Sequence, residues 1–247
     1  MAIDFTANGQ GIKYTSNVAN GLTTYSISTW YYARGNGYTP QGGCVFNIGQ
    51  TGAPTYPWGV MNLFIADATV AAMDNDLSMS VTFDGNEGTW YTNSAPSLNA
   101  WHHAVITYDN TSSGNNPIFY IDRSPAAITE YSTPAGNAVT SSDFVGVGFL
   151  ANINTFTLEG QCEDLRLYNR ILTQADVNRI YDERILRNAY SESGLIFHPA
   201  FMGAKGMSTF DGKTLAAGNT IVDSISGAVG VPTGNPIGRG NTIHRIY

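Results

Sequence analysis

The most strand-like pattern of hydrophobic and polar positions lies between residues 98 and 123. Two runs rich in β-branched and aromatic residues, WHHAVITYD at 101–109 and IFYID at 118–122, flank a polar segment that contains Gly114. This arrangement predicts an antiparallel hairpin. Neither the odd nor the even positions of the first run are strongly polar, which is typical of a strand covered on both faces. We therefore expect Trp101 to be a core residue.

Shorter strand-like runs recur on both sides of this hairpin. They read YSISTWYYA, GGCVFNIG, VMNLFIA, LSMSVTF, GTWYT and FVGVGFL, and turn-forming pairs such as Asn8-Gly9 and Asn20-Gly21 punctuate the chain. Many short strands separated by turn residues predict an all-β sandwich. Trp30, in the first of these runs, is expected in the core because large aromatic side chains dominate such cores.

One helix is predicted after residue 172. Thr173 and Asp176 have the spacing of a capping box, and Leu172 and Val177 have that of a hydrophobic staple. An apolar stripe at helical spacing follows at Val177, Ile180, Tyr181 and Ile185. The stripe favours a short helix that docks on the sandwich.

Two of these segments resemble the laminin-G-like domains of the concanavalin-A-like jelly-roll superfamily. WHHAVITYD with IFYID is similar to the central hairpin of those domains, and LEGQCEDLRLYNRILTQADVNRIY is similar to their last strand and following helix. The resemblance implies a two-sheet antiparallel jelly-roll sandwich over residues 1–190 with one short helix. Residues 191–247 would form a Gly/Thr/Asn-rich C-terminal extension that packs on the sandwich or on a neighbouring subunit.

The chain departs from the family pattern at two places. Where the family has Asp-Gly after the hairpin, this chain has Asp122-Arg123, so we expect a connection wider than a tight turn with positive φ. Cys162 replaces an aliphatic residue, which favours a buried thiol. Cys44 is the one other cysteine, and a disulfide between them is the alternative.

Composition and charge exclude some classes of function. Charged residues make up 13% of the chain and the formal net charge is −7, with no run of Lys or Arg. Nucleic-acid binding needs a clustered basic face, so it is not expected. No apolar run is long enough for a membrane-spanning helix.

The sequence lacks the motifs of the enzymes of this superfamily. Its glucanases carry Glu-x-Asp-x-x-Glu on one strand, and this triplet is absent here. Glu163 and Asp164 are adjacent and would point to opposite faces, whereas Asp164 and Arg166 would share a face and pair. His102 and His103 are also neighbours and cannot jointly bind one metal. We therefore predict a protein that is not an enzyme and needs no cofactor.

Calcium is the one metal for which the sequence offers weak candidates. Asp84, Asn86 and Glu87 form an oxygen-rich loop, but their spacing fits no known calcium loop. Ordinary turn chemistry is the alternative explanation.

Four aromatic residues are candidates for stacking on a glycan or contacting a partner. Tyr56 and Trp58 lie in a Pro/Gly-rich loop, and Trp90 and Tyr91 lie in a predicted strand. Loops that present aromatic side chains often carry binding sites. The alternative is a loop folded down on its own aromatic residues.

The N-terminal residues, which lack the pattern of a secretory signal, guide the functional hypothesis. We expect a structural or adhesive bacteriophage virion protein, made in the host cytoplasm, that decorates the head or belongs to the tail. It would self-associate and bind other virion proteins through the apolar C-terminal residues Ile243, Ile246 and Tyr247. On this view, deletion from Leu195 onward leaves a folded sandwich that no longer self-associates.

Two other functions stay open. A lectin-like carbohydrate-binding module, possible outside cells, is the first alternative. A glycan-cleaving enzyme is the less favoured one.

Overall fold

The computed structural model describes residues 2–51, 59–67, 73–183, 192–199, 221–222, 225–226, 229–234 and 236–239. These residues form two antiparallel β-sheets that pack face to face, and one short α-helix. The predicted all-β sandwich with a single helix after the last family strand is confirmed.

Within the described residues, the first sheet, sheet A, has eight strands. They are β1 (Ala2–Phe5), β3 (Thr24–Ala33), β8 (Trp101–Asp109), β9 (Ile118–Ile121), β10 (Ser124–Ala126), β13 (Gly160–Tyr168), β14 (Leu195–Phe197) and β17 (Ile237–Arg239). The strand order is β10-β9-β8-β3-β13-β1-β17, and β14 pairs with the end of β13. The predicted hairpin of β8 and β9 is therefore confirmed.

The second sheet, sheet B, has nine strands in the part of the chain that the structure describes. They are β2 (Gly11–Thr15), β4 (Gly42–Gly49), β5 (Met61–Ala66), β6 (Leu77–Val81), β7 (Gly88–Thr92), β11 (Ile128–Ser132), β12 (Phe144–Val147), β15 (Ile221–Val222) and β16 (Val229–Thr233). The strand order is β11-β7-β6-β5-β4-β12-β2-β16-β15.

The main core fills the space between the sheets. Alternate residues of each strand point into it, for example Ala104 and Ile106 from β8 and Leu63 from β5. Trp30 is buried, as expected. Trp101 is only partly buried, because it begins β8 at the rim of the sheet and packs beside the Tyr32 ring at 5.8 Å. The prediction that Trp101 belongs to the core is wrong.

The turn between β9 and β10 also differs from the prediction. It consists of Asp122 and Arg123 alone, with φ values of 48° and 76°. Asp adopts left-handed backbone more readily than most residues, and here its carboxylate accepts the backbone N–H of His103 at 2.8 Å. Gln174 donates to the Arg123 carbonyl at 2.8 Å. These bonds hold a tight turn without glycine, so the expected wider connection is wrong.

Helix α1 (Gln174–Glu183) begins as its sequence predicts. The Thr173 Oγ1 accepts the Asp176 N–H at 3.2 Å, and the Asp176 carboxylate accepts the Thr173 N–H at 2.9 Å, which is a reciprocal capping box. Val177 and Ile180 join a second apolar cluster with side chains from sheet A. The helix therefore covers the outer face of sheet A.

The described part of the C-terminal extension pairs within the same chain. β14 adds to β13, β16 adds to β2, and β17 adds to β1. Phe197 is 0% exposed in the main core, where its ring meets that of Tyr14 edge-on at 5.0 Å. Deletion from Leu195 would remove a core side chain as well as four strands, β14 to β17. Ile243, Ile246 and Tyr247 lie outside the described residues.

Both cysteines are free and buried, one in each sheet. Burial raises the pKa of the Cys44 and Cys162 thiols. The interpretation as buried thiols is confirmed. No helix in the described part of the chain is long and apolar enough to span a membrane.

Candidate functional site

A groove lies on the outer face of sheet B. Its volume is about 370 Å³, within the range of small-molecule binding sites. Leu63 on β5 and Met79 on β6 point into the main core, so the neighbouring residues on each of these strands point outward. Phe64, Ser78 and Ser80 reach the groove in this way. The groove is thus built from the outward-facing half of the strand alternation, which is polar on β6 and apolar on β5.

Aromatic and apolar side chains form the walls of the groove. They are Phe64, Ala66, Met73, Tyr131 and Phe156. Phe64 and Phe156 meet edge-on, with ring centroids 6.3 Å apart. Tyr131 on β11 is 53% exposed, which is high for a large aromatic side chain on a strand. An exposed ring beside a polar cleft can stack on the apolar face of a sugar.

The remaining lining residues are hydrogen-bonding groups. They are Gln41, Ser78, Ser80, Asn86, Glu87, Thr89 and Ser132. Hydroxyl and amide groups both donate and accept hydrogen bonds, whereas the carboxylate only accepts. A groove with aromatic walls and many small polar groups has the chemistry to hold a ligand rich in hydroxyl groups.

Glu87 is half-buried in the groove. Burial raises the pKa of its carboxyl group, while the hydroxyl groups of Ser80 and Thr89 act in the opposite direction. Its backbone carbonyl accepts the Ser132 hydroxyl from the neighbouring β11 at 2.7 Å. This bond fixes the segment that carries the carboxylate.

The structure separates the two aromatic residues predicted on β7. Trp90 is 0% exposed, and its Nε1–H donates to Asn116 Oδ1 at 2.8 Å. It points into the main core and is not available to a glycan, so this candidate is wrong. Tyr91 points to the outer face and is paired in register with Ser78 of the groove. Tyr56 and Trp58 lie outside the described residues.

The three calcium candidates each have a separate partner. The Asp84 carboxylate accepts the Asn137 N–H at 2.7 Å, which lowers its pKa. The Asn86 amide donates to the Thr133 carbonyl at 2.6 Å. The Glu87 carboxylate accepts the Thr89 hydroxyl at 3.4 Å, and both Asn86 and Glu87 line the groove. Within the described residues, no group of three or more His, Cys, Asp or Glu side chains could hold a metal ion, and calcium binding stays an untested prediction.

A Ser-His-Asp arrangement that the sequence analysis missed lies at the start of β8. His102 Nε2 is 3.0 Å from Ser97 Oγ, and Nδ1 is 2.7 Å from Asp122 Oδ2. However, Nε2 is also 3.0 Å from the Ser97 carbonyl oxygen, which can only accept. The Asp122 hydrogen bond raises the pKa of His102. That favours an imidazolium that donates from both nitrogens, and such a ring cannot act as the base for Ser97.

A cluster of buried charges lies on the outer face of sheet A. Arg166 is fully buried and donates to both oxygens of Asp164, at 3.1 and 2.6 Å. The predicted pairing of these two residues is confirmed. His198 Nε2 lies 2.9 Å from Asp164 Oδ1, and Glu192 is 3.4 Å from Arg166. Burial acts to raise the pKa of Asp164, but Arg166 and His198 outweigh it and lower that pKa. Because these charges are paired with one another, the cluster has a structural role.

A bulge in β13 places the Asp164–Arg166 pair on the outer face of sheet A. The register shifts between Glu163 and Arg166, and Asp164 has a φ of 50°. Cys162 and Leu165 both point into the main core although they are three residues apart, because the bulge adds one residue to the strand.

Comparison with known proteins identifies the family. The family model described as the concanavalin A-like lectin/glucanase superfamily matches residues 6–178. The chain belongs to this superfamily. No curated protein matches the sequence significantly.

Several solved structures are similar to this chain. A candidate carbohydrate-binding protein from Bacteroides ovatus has a TM-score of 0.61 at 16% identity, over 94% of this chain and 57% of that one. A Trypanosoma rangeli sialidase has a TM-score of 0.50 at 12% identity, over 73% of this chain and 27% of that one. The Limulus polyphemus pentraxin has a TM-score of 0.44 at 11% identity, over 73% and 81%. This chain thus spans 57% of the length of the Bacteroides protein, and these low identities bear on the fold alone.

Proposed function

We propose that this protein is a non-enzymatic carbohydrate-binding protein and that its binding site is the groove on sheet B. The observation that carries the proposal is the combination of the exposed Tyr131 ring with small hydroxyl and amide side chains around one cleft. Sugars present an apolar face and several hydroxyl groups, and these features match aromatic walls and mixed donors and acceptors.

The carboxylate content of the groove supports binding without hydrolysis. Glycosidases of the common type use two carboxyl groups, about 5–9.5 Å apart, on either side of the scissile bond. Among the described residues that line the groove, Glu87 is the one carboxylate. The groove therefore offers hydrogen bonds to a glycan and lacks the second group of that mechanism.

A glycan array with the purified protein tests the proposal. We expect binding to at least one oligosaccharide, and the Tyr131→Ala variant should weaken it about tenfold because the stacking surface is lost. Tyr131→Phe keeps the ring and should retain most of the affinity. Ile118→Ala is the matched control, since Ile118 is 49% exposed but lies on sheet A.

Two results would contradict this proposal. One is a protein that binds no oligosaccharide on the array. The other is an affinity that Tyr131→Ala and Ile118→Ala change equally.

Self-association in a phage virion is the second candidate function. It is favoured by two exposed valines on β16, Val229 at 47% and Val231 at 44%. They lie beside β15, which is the last of the described strands in the order of sheet B. Sheet edges with exposed apolar residues can pair with a second copy. Light scattering should then show an oligomer that the Val229→Asp/Val231→Asp variant dissociates, and a monomeric wild-type protein would argue against this function.

A further inference from the structure

The charge of the groove is unusually simple. Twelve described residues line it, and among them Glu87 is the one side chain that carries a charge at neutral pH. No Lys or Arg is among these residues. A sugar that enters the groove therefore meets one negative group and no cation.

The Glu87 carboxylate is held in place and partly removed from water. The Thr89 hydroxyl donates to its Oε1 at 3.4 Å, and the Ser132 hydroxyl fixes its backbone carbonyl. Ser132 in turn accepts the Asn86 amide at 3.2 Å. A half-buried carboxylate interacts with a nearby charge more strongly than one in open solvent.

A carboxylate in this position would attract neutral sugars and repel acidic ones. It only accepts hydrogen bonds, so sugar hydroxyl groups can donate to it. A uronate, sialate or sulfate group in the same place would bring a second negative charge with no compensating cation, which costs free energy.

We infer that the groove selects uncharged glycans and that Glu87 is the residue that excludes acidic ones. The inference rests on the proposed carbohydrate-binding function and adds the substrate class. Glu87 would accept hydroxyl groups of a neutral pyranose while Tyr131 stacks on its ring.

The test compares matched pairs of neutral and acidic oligosaccharides. The probes are cellotetraose and galactotetraose, each with its C6-oxidised uronate counterpart, together with the full array for the wild-type protein. We expect the wild type to bind a neutral probe at least tenfold more tightly than its uronate counterpart. In Glu87→Gln, the two affinities should become equal within about threefold.

Two further variants separate local from global charge. Glu130→Gln makes the same change in net charge at an exposed position outside the groove lining, and it should behave as the wild type. Ser78→Lys adds a cation to the groove with Glu87 intact and should also admit the uronate probes. Because it leaves Glu87 in place, it tests the inference even where Glu87→Gln does not fold, and thermal melts check each variant.

The outcomes separate this inference from the proposed function. Binding to neutral and uronate probes alike, or selectivity unchanged in Glu87→Gln and Ser78→Lys, overturns the role of Glu87 while carbohydrate binding stands. An equal effect of Glu130→Gln also overturns it, since net charge would then explain the preference. A wild type that binds nothing on the array refutes both.

Discussion

The outer faces of the two sheets are covered in different ways. On sheet A, helix α1 packs over Val105 and Tyr168, and the charges there are buried and paired. On sheet B, the face over β5, β6 and β7 carries a groove with exposed polar groups and one carboxylate. The same strand alternation builds both faces.

The difference shows that a covered face and an open face of a sandwich place different demands on their polar side chains. The covered face needs partners for its charges, because Arg166 and Asp164 have little access to water. The open face needs no such charge partners, and two of its polar side chains, Gln41 and Asn86, are exposed to solvent. Ligand-binding capacity is therefore expected on sheet B, and stability is expected to depend more on sheet A.

The largest effect should come from breaking the buried ion pair. Arg166→Met leaves the Asp164 carboxylate buried without its cation, which should lower the free energy of unfolding by about 3–5 kcal/mol. Glu87→Gln, the matched change on the open face, should alter it by less than about 1 kcal/mol. Urea unfolding at pH 7 measures both.

A double variant controls for simple loss of packing. Asp164→Asn removes the unpaired charge, so Arg166→Met/Asp164→Asn should cost less than the two single changes added together. Strict additivity, or an Arg166→Met variant as stable as Glu87→Gln, would refute the distinction between the faces.

Much of the covered face could be predicted from the sequence because its signals are local. The capping box spans Thr173 to Asp176, and the Asp164–Arg166 pair spans three residues. The Asp122-Arg123 turn was missed because bonds from elements distant in the chain hold it. Propensity alone cannot include such bonds.

The groove could not be predicted because it joins residues from position 41 to position 156. Their meeting depends on the strand order β11-β7-β6-β5, which no local pattern specifies. Trp90 and Tyr91 are neighbours on a strand and must point to opposite faces, so both could not contact the same glycan.

The second-largest effect should be a loss of folding stability at acidic pH, which originates on the covered face of sheet A. His103 is buried beneath Tyr181, beside Trp30 and 2.9 Å from Ser28 Oγ, with the charges of Asp164, Arg166, Asp122 and Arg123 around it. Burial lowers its pKa from 6.5 to about 4. The unfolded chain therefore binds a proton first as pH falls, and His103 should cost about 3 kcal/mol of stability between pH 6.5 and pH 4. Urea unfolding across this range should show a shallower decline in His103→Gln.

The neighbouring histidine provides the control. Its hydrogen bond to Asp122 raises the pKa of His102, so its stabilising contribution is full below pH 6.5 and is lost as pH rises through the folded value. His102→Gln should therefore change the slope only above about pH 6.5. Identical slopes for His103→Gln and the wild type between pH 6.5 and pH 4 would show that His103 does not control the acid response.

The smallest effect should come from destabilising helix α1, which covers the outer face of sheet A. Thr173→Ala removes the hydroxyl that accepts the Asp176 N–H, and loss of such a cap costs about 1 kcal/mol. Thr173→Ser keeps the hydroxyl and should retain most of that stability. Because the groove shares no residue with helix α1, hydrogen exchange in Thr173→Ala should speed up in α1 and stay unchanged in β5, β6 and β7. Faster exchange in both places would mean that the two faces open together, and the contrast between a stabilising face and a binding face would then fail.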